Sequence, residues 1–325
     1  MSTAASSAAS PAFKSRFGKA GRLVFLAASA MVCGLSASGF MGAYWWVFDL
    51  ASHFRQQYLA LLIVAILVCL LRSKWRWALL IAPFFAANGL VVAPYYVRTS
   101  DTVDEASPER RFLLSNVLIL SRGYDRILSL VRETAPDVVV LQELSPEWRE
   151  GLAGLGATYP YNAGNSPEDR FGIGVWSKFL VRSRILPATG AGRTSVEAKL
   201  TFPEGDLTLV VTHPVPPMGS RGTQLRDEQL VAIGRHVSRL SGPVVVLADL
   251  NATPWSHGFR EFERTSGLRD TSRRAGLTPT WPSFLPGMRI PLDHCLVSPD
   301  INILEKRAGP FVGSDHLPLI VSLTL

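Results

Sequence analysis

An uncharged apolar run from Leu23 to Phe48 constrains this chain more than any other feature of its sequence. The run is long enough to cross the hydrocarbon core of a bilayer as a helix. Another run of spanning length, 77–96, has aromatic residues at both ends, as is typical of membrane interfaces. Between them, 58–71 reaches spanning length only if the polar residues at its ends are included. The pattern predicts a membrane region at 23–96 with about three transmembrane helices, at 23–48, 56–72 and 77–96.

Basic residues flank two ends of these runs. The tail at 1–22 finishes with Lys14, Arg16, Lys19 and Arg22, and the short turn 72–76 holds three more positive charges. The positive-inside rule therefore predicts that the tail and the turn are cytoplasmic and that the remainder of the chain lies on the extracytoplasmic side. Cleavage of the first run as a signal peptide gives the same orientation. Failure of the short second run to span would instead leave the remainder in the cytoplasm.

The net charge of +7 belongs mostly to the membrane end of the chain. Residues 111–325 contain 23 Lys and Arg against 21 Asp and Glu, so the globular part is close to neutral. Duplex-binding proteins usually carry a clustered basic surface, and this balance argues against a simple duplex-binding domain. Only Cys295 lies in this part, which excludes an internal disulfide and a cysteine metal cluster there. Residues 97–110, polar with acidic groups and a proline, predict a linker.

From Arg111 onward, strand patterns alternate with helix patterns. The runs 137–144 and 244–250 are apolar strands of the kind buried on both faces. Apolar residues recur at helical spacing in 124–133 and 223–240, and Ser145 before Pro146 predicts another helix start. Strands mixed with helices indicate an α/β sandwich. Further strands are predicted at 112–120, 171–177, 194–202, 206–212, 292–297 and 317–325, and a further helix at 258–266.

Polar residues stand where the predicted strands end. Taken singly, most have an ordinary explanation, such as an Asx-type turn for Asp249 and Asn251 or core packing for His213. Glu143 is the exception, because an ionised carboxylate after Val-Val-Val-Leu-Gln is costly to bury without a partner or a metal. Together the residues offer oxygen ligands of the type that Mg²⁺ prefers and imidazoles that can bind phosphate. The set comprises Asn116, Glu143, His213, Asp249, Asn251, Asp293, Asp315 and His316.

These residues stand in motifs that resemble those of the endonuclease/exonuclease/phosphatase superfamily, the deoxyribonuclease type I fold. In chain order the motifs are Leu-Ser-Asn-Val-Leu, Val-Val-Leu-Gln-Glu-Leu, Val-Val-Thr-His-Pro, Leu-Ala-Asp-Leu-Asn-Ala-Thr-Pro, Pro-Leu-Asp-His-Cys-Leu-Val and Gly-Ser-Asp-His-Leu-Pro-Leu. The resemblance covers 111–325 and leaves the membrane part outside. It implies a four-layer sandwich of two mixed β-sheets flanked by helices, and cleavage of phosphoester bonds with Mg²⁺ or Mn²⁺.

The resemblance also implies roles for the carboxylates. Glu143, with Asn116 and Asp315 nearby, would hold the metal directly or through water. Asp249 would orient or deprotonate the attacking water molecule.

The remaining residues would act on the phosphate and on the proton. Asn251 and His213 would bind the scissile phosphate, and His316, steered by Asp293, would act as a general base or as a phosphate ligand. A carboxylate partner raises the pKa of an imidazole, so a cationic His316 near neutral pH would favour the electrostatic role. Whether Asp249 or His316 takes the proton stays open at this point.

Three nearby aromatic residues are assigned structural roles. His294 follows Asp293 on a strand, so its side chain is expected on the opposite face of the sheet. Trp255 and Trp281 lie in loops, where packing is the expected role and stacking on a substrate base is the alternative.

The sequence therefore predicts a membrane-anchored, metal-dependent phosphodiesterase or phosphatase whose catalytic domain, 111–325, faces outward. Its substrate would be a nucleic acid on the first hypothesis. A lipid or sugar phosphoester is the alternative, since a membrane anchor suits a phospholipid head group in the bilayer. A third hypothesis is a non-catalytic binding module on the same fold. It predicts that at least one of Glu143, Asp249, Asn251 and His316 is lost, and all four are present.

Overall fold

The computed structural model describes residues 11–97, 108–165, 171–188 and 192–325. Most of the predicted linker, 97–110, and the start of the basic tail, 1–22, lie outside these residues. The helices are α1 (Pro11–Ser38), α2 (Trp46–Ser52), α3 (Arg55–Leu71), α4 (Trp75–Val92), α5 (Tyr124–Thr134), α6 (Pro146–Gly151), α7 (Gly219–Val237), α8 (His257–Ser266) and α9 (Ser272–Ala275). The strands are β1 (Arg110–Asn116), β2 (Val138–Leu144), β3 (Tyr161–Gly164), β4 (Gly172–Ser177), β5 (Leu180–Leu186), β6 (Ser195–Phe202), β7 (Gly205–Val211), β8 (Val244–Asp249), β9 (Arg269–Asp270), β10 (Asp293–Val297), β11 (Asn302–Ala308) and β12 (Leu319–Thr324).

The first apolar run, expected as one helix over 23–48, forms two helices instead. α1 ends at Ser38, a 3-10 turn occupies Gly39–Met41, and α2 begins only at Trp46. A Cβ atom on Gly39 would stand 3.0 Å from the Cα of Ser52, so glycine permits the close approach of this turn to α2. The turn separates α2 from α1 and lets α2 pack on the rest of the protein.

Two described helical segments, Gly18–Met41 and Trp75–Tyr95, are long and apolar enough to cross a membrane. α2 and α3 form a pair bent by 67° that would add a third span if it is counted as one. The helices α3 and α4 lie close to the expected spans 56–72 and 77–96. The helical region therefore contains two or three candidate spans.

The basic flanks of these helices meet at one end of the bundle. A cavity of about 510 Å³ there is lined by Arg22 of α1 together with Arg72 and Lys74 of the turn between α3 and α4. Arg55 lies elsewhere, buried inside the bundle, where its guanidinium donates to Asn88 Oδ1 and to the carbonyl of Gly39, each at 2.9 Å.

The strands of the described ranges form two six-stranded sheets. The first has the order β11-β12-β1-β2-β4-β3 and the second the order β5-β6-β7-β8-β10-β9. Within each sheet one neighbouring pair is parallel, β1 with β2 and β7 with β8, and the other pairs are antiparallel. Both sheets are therefore mixed, as predicted.

Alternation of side chains along the strands builds the layers. Phe112 and Leu114 of β1 join the apolar cluster between the two sheets, whereas Leu113 faces α5 on the outer side. In the second sheet Leu247 joins the same central cluster, and Val246 packs with α7 and α8. The result is helix, sheet, sheet, helix, which confirms the predicted four-layer sandwich.

Some elements differ from the expectation. The helix predicted from Pro146 ends at Gly151, and a 3-10 turn at Ala153–Ala157 continues the chain. β3, β5 and β11 lie at the edges of the two sheets and carry no buried apolar run that would have revealed them.

The two sheets are joined where β2 and β8 end. The Gln142 side chain donates to the carbonyl of Thr212 at 2.9 Å and accepts from the backbone N–H of Asp249 at 2.9 Å. Gln142 is fully buried, so these bonds are shielded from water. One side chain thus fixes the ends of β2, β7 and β8 relative to one another.

Candidate active site

Glu143 stands on an irregularity of β2. The register with β4 shifts between Gln142 and Leu144, and Glu143 has a φ of 65°, a left-handed conformation that is uncommon outside glycine. The bulge turns its carboxylate to the edge of the sheet, where Oε2 accepts from the backbone N–H of Ile119 at 3.1 Å. The side chain keeps 16% of its surface exposed. A strained backbone conformation persists only where the surrounding contacts hold it, and such residues cluster at functional sites.

Asn116 connects two carboxylates. Its amide nitrogen lies 3.1 Å from Glu143 Oε1 and 3.1 Å from Asp249 Oδ2, while its Oδ1 accepts from the backbone N–H of Leu118. Asn116 is at the end of β1 and is buried. The amide group of Asn116 therefore holds Glu143 of the first sheet close to Asp249 of the second.

Asp249 lies at the centre of the site. Oδ2 is 3.4 Å from His213 Nε2 and 3.5 Å from His316 Nε2, and Oδ1 accepts from the backbone N–H of Asn251 at 2.9 Å. Burial raises the pKa of Asp249 to about 7, and Asp293 adds to this rise against the opposing effect of His316. The carboxyl group can therefore exchange a proton near neutral pH.

Asp293 and His316 form a close pair. Asp293 Oδ2 is 2.8 Å from His316 Nδ1, and both side chains are buried. Burial lowers the pKa of His316, but the charges of Asp293 and Asp249 outweigh it and raise this pKa to about 10. His316 is thus an imidazolium at neutral pH, with Nε2 directed at Asp249.

His213 and Asn251 complete the group. Burial, with Arg193 nearby, holds the pKa of His213 well below its usual value, so this imidazole is neutral. Arg193 Nη1 lies 3.2 Å from His213 Nδ1, and Arg193 Cζ lies 3.8 Å from the centre of the Phe171 ring. Asn251 has a φ of 50°, and its amide nitrogen donates to the carbonyl of Pro214 at 3.0 Å.

Asp315 stands beside the group rather than inside it. Its Oδ2 accepts from the ring N–H of Trp281 at 3.1 Å, and its carbonyl accepts from the backbone N–H of Ser283 at 2.7 Å. Trp281 therefore orients Asp315. Of the other two aromatic residues, Trp255 is buried against Tyr95, and the Nε2 atom of His294 lies 2.8 Å from the carbonyl oxygen of Ala252.

The chemistry of the donors fits a divalent cation. Glu143 and Asp315 are partly exposed carboxylates, and carboxylate and amide oxygens are the hard ligands that Mg²⁺ takes. Of the three predicted ligands, Asn116 contacts Glu143, whereas the side chain of Asp315 is held by Trp281. Asp249, Asp293 and His316 also offer ligand atoms within 4.8 Å of one another. In this second set His316 is an imidazolium, which has no lone pair for a metal, so the partly exposed carboxylate of Glu143 is the better candidate ligand.

Three buried or partly buried residues extend the site beyond the predicted set. Gln142 joins the sheets, Arg193 contacts His213, and Arg226 of α7 donates to the carbonyl of Asn251 at 3.2 Å. The sequence held one signal for Arg226, which shares an i, i+4 position with the core residue Leu230. Arg193 lies in a loop and gave none.

Comparisons with known proteins concern the fold and not the individual site residues. The model of the Endonuclease/Exonuclease/phosphatase family matches residues 113–316. No curated protein sequence matches the chain.

Among solved structures, an endonuclease/exonuclease/phosphatase from Bacteroides vulgatus has a TM-score of 0.58 at 19% identity, with 67% of this chain and 99% of that chain covered. D. rerio TDP2 complexed with a single-strand DNA product has a TM-score of 0.55 at 19% identity, covering 67% and 99%. The beta toxin of Staphylococcus aureus with bound magnesium ions has a TM-score of 0.53 at 16% identity, covering 66% and 99%. These similarities show that the two-sheet part of the chain shares its fold with those proteins.

Proposed function

Because this chain belongs to the endonuclease/exonuclease/phosphatase family, whose members are hydrolases of phosphoester bonds, we propose that it is a divalent-metal-dependent phosphodiesterase anchored in a membrane. The observation that carries the proposal is the position of Asp249 between two imidazoles of opposite state, neutral His213 at 3.4 Å and cationic His316 at 3.5 Å. The pKa of Asp249 therefore suits a proton acceptor at neutral pH, and the positive charge of His316 lies beside it.

In the proposed reaction Asp249 takes the proton of the attacking water. A pKa of about 7 leaves it partly ionised at neutral pH, whereas His316, with a pKa of about 10, already holds its proton. His316 then stabilises negative charge on the phosphate, and Asp293 fixes its orientation through the 2.8 Å hydrogen bond. The environments of the two candidate bases support Asp249 in this role.

His213 and Asn251 bind the phosphate oxygens in this proposal. The neutral imidazole has one N–H to donate, and the side-chain amide of Asn251 is held at the rim of the site by Pro214. A cation held by Glu143, Asn116 and Asp315 would neutralise charge that develops on the phosphate. Cleavage of the diester bond consumes one water molecule and gives a phosphomonoester and an alcohol.

Nucleic acid is the first candidate substrate. The near-neutral catalytic domain, with 23 basic and 21 acidic residues at 111–325, favours a single strand or a strand end over continuous duplex. D. rerio TDP2, which has the same fold, was crystallised with a single-strand DNA product.

A phospholipid diester is the second candidate, and one specific observation favours it. The loop that carries Trp281 exposes Phe284, 74% accessible, with Leu285 and Met288 beside it. The same loop is tied to the membrane-side helix α3, where Gln57 donates to the carbonyl of Arg289 at 3.1 Å. Such an apolar loop tip beside candidate spans suits a lipid surface.

The test is turnover by the purified full chain with single-stranded DNA, RNA, duplex DNA and phosphatidylglycerol vesicles, each with Mg²⁺, Mn²⁺ or EDTA. We expect metal-dependent cleavage of one class and loss of at least about a hundredfold in Asp249→Asn. Absence of turnover on every substrate, together with no stabilisation by either metal, would favour a non-catalytic module.

The proposed orientation places the catalytic domain on the extracytoplasmic side. Two basic segments, near Arg22 and at Arg72 and Lys74, gather at one end of the bundle, as the positive-inside rule requires of a cytoplasmic end. The start of α3 and the 3-10 turn after α4 are remote from this cavity and contact the catalytic domain, as Gln57 with Arg289 and Tyr95 with Trp255 show. A reporter enzyme fused after Leu325 that is active only in the cytoplasm would reverse this assignment.

A further inference from the structure

A single acidic side chain of the helical region reaches the catalytic domain. Asp49 lies in α2 and is 1% exposed. Its Oδ2 is 2.7 Å from Nη2 of Arg226 in α7, and its Oδ1 accepts from the backbone N–H of His257 at 3.1 Å, where α8 begins. One carboxylate of the N-terminal region thus binds two elements of the catalytic domain.

Arg226 carries this contact to the active site. The side chain is fully buried, and its Nη1 donates to the carbonyl of Asn251 at 3.2 Å, while Nε donates to Asp227 at 2.9 Å. Asn251 is the residue whose φ is 50° and whose backbone N–H binds Asp249 at 2.9 Å. A left-handed residue needs fixed partners to keep its conformation, and Arg226 supplies one of them.

The rest of the loop after Asn251 is held from the same side. His53 Nδ1 lies 3.0 Å from Thr253 Oγ1 and accepts from the backbone N–H of Thr253 at 3.3 Å. The ring of Tyr95 meets that of Trp255 edge to face at 5.9 Å. We define residues 250–257 as the clamped loop, because the N-terminal region contacts it directly at Thr253, Trp255 and His257 and through Arg226 at Asn251.

Simple docking would not need an ion pair at this place. Burying a carboxylate and a guanidinium is expensive, and apolar side chains of similar size would join two helices as well. The carboxylate of Asp49 instead bonds to the two ends of the clamped loop, at Asn251 through Arg226 and at His257 directly. What this arrangement adds is a defined loop position next to Asp249.

We propose that α2, through Asp49 and Arg226, is a positioning element of the active site, so that the catalytic geometry is complete only when the N-terminal helices are docked. Asp49 and Arg226 are positioning residues, since they act through Asn251 and Asp249 and do not touch the phosphate themselves. The proposal rests on the proposed phosphodiesterase function for its kinetic readout, and on the clamped loop for a readout independent of turnover.

The experiment uses the full chain in lipid nanodiscs with bis(p-nitrophenyl) phosphate and Mg²⁺ as the probe. Asp49→Asn keeps the shape of the side chain and removes its charge. We expect kcat to fall at least about tenfold, since the loop beside Asp249 loses a charged hydrogen bond that holds it. KM should rise by a smaller factor, because Asn251 is displaced rather than removed. Amide hydrogen exchange in 250–257 should become faster in the same variant.

Arg55→Gln is the matched control. It also breaks a buried charged contact of the N-terminal helices, but among the described residues the hydrogen bonds of Arg55 go to Asn88 and Gly39, both in the helical region. The charge of Arg260 in α8 acts on Arg55 as repulsion and not as a bond. We expect a lower melting temperature with kcat and exchange in the clamped loop as in the wild type. The double variant Asp49→Asn with Arg226→Gln should be no slower than Arg226→Gln alone. Both changes break the same ion pair, and the amide oxygen that Asp49→Asn leaves can still accept from the N–H of His257.

Wild-type kcat and exchange in Asp49→Asn would overturn the proposal, and so would an equal loss of kcat in Arg55→Gln. If the wild type hydrolyses no diester at all, the proposed function fails, whereas the exchange comparison still decides whether Asp49 holds the clamped loop.

Discussion

Replacing Asp293 by asparagine is expected to lower kcat while leaving the melting temperature nearly unchanged. In the native protein Asp293 Oδ2 and His316 Nδ1 are 2.8 Å apart, and both side chains are at least nine-tenths buried. Asparagine keeps an acceptor oxygen for Nδ1 but removes the negative charge that holds His316 as a cation. A buried hydrogen bond to a charged group contributes about 1.5–3 kcal/mol. At about 1.4 kcal/mol for each factor of ten, kcat should fall about 10- to 150-fold.

Stability should respond differently. Asp293 also raises the pKa of Asp249 by repulsion, and atoms of both carboxylates lie within 4.8 Å of one another and of His316. The substitution removes this repulsion as well as the attraction to His316, and the two effects oppose each other. The melting temperature of Asp293→Asn should therefore stay within a few degrees of the wild-type value.

The assay is steady-state hydrolysis with the best substrate of the panel, together with thermal unfolding followed by circular dichroism. Asp270→Asn is the control, because Asp270 is a buried acid of the neighbouring strand β9 whose Oδ1 accepts from the backbone N–H of Ser272. We expect that control to lose stability and keep kcat. A wild-type kcat in Asp293→Asn, or an equal loss in the control, would refute the assigned role of the pair.

Three further outcomes are expected. Arg193→Met should raise the KM for an anionic diester about tenfold, because the guanidinium beside His213 adds positive charge at the site. Arg193→Lys should bring the KM part of the way back, and initial rates measure both variants. Glu143→Gln should abolish the rise in melting temperature that Mg²⁺ gives the wild type, and an undiminished rise would move the metal to other ligands. Gln142→Ala should lower the free energy of unfolding by about 1–3 kcal/mol in urea titration, since the N–H of Asp249 loses its buried acceptor, and an unchanged midpoint would contradict that bond.

Much of the architecture could be predicted from local patterns. β2 and β8 are continuous apolar runs that read as buried strands, and the amphipathic α7 shows its core-facing residues at helical spacing. The order of the polar strand ends likewise indicated which side chains meet, since strand ends that share an edge bring their residues together. These features depend on residues close in sequence.

The remaining features depend on contacts between distant segments. The left-handed conformation of Glu143 follows from the pairing of β2 with β4, which no local pattern records. In the sequence Asp49 is only the polar residue that ends an apolar run. In the structure its side chain is buried against Arg226, 177 positions further along the chain. The break of the first run at Gly39 has the same origin, because α2 must leave α1 to reach the catalytic domain.

The pair of Asp293 and His316 crosses from one sheet to the other. Asp293 begins β10 in the second sheet, and His316 precedes β12 in the first. The length of their hydrogen bond, 2.8 Å, therefore depends on the distance between the two sheets at that end. The apolar cluster between the sheets sets this separation. Under the proposed function, selection for turnover therefore also acts on core residues such as Leu247, which pack between the sheets. In evolutionary terms, that function would constrain the volume of this core beyond the demands of packing.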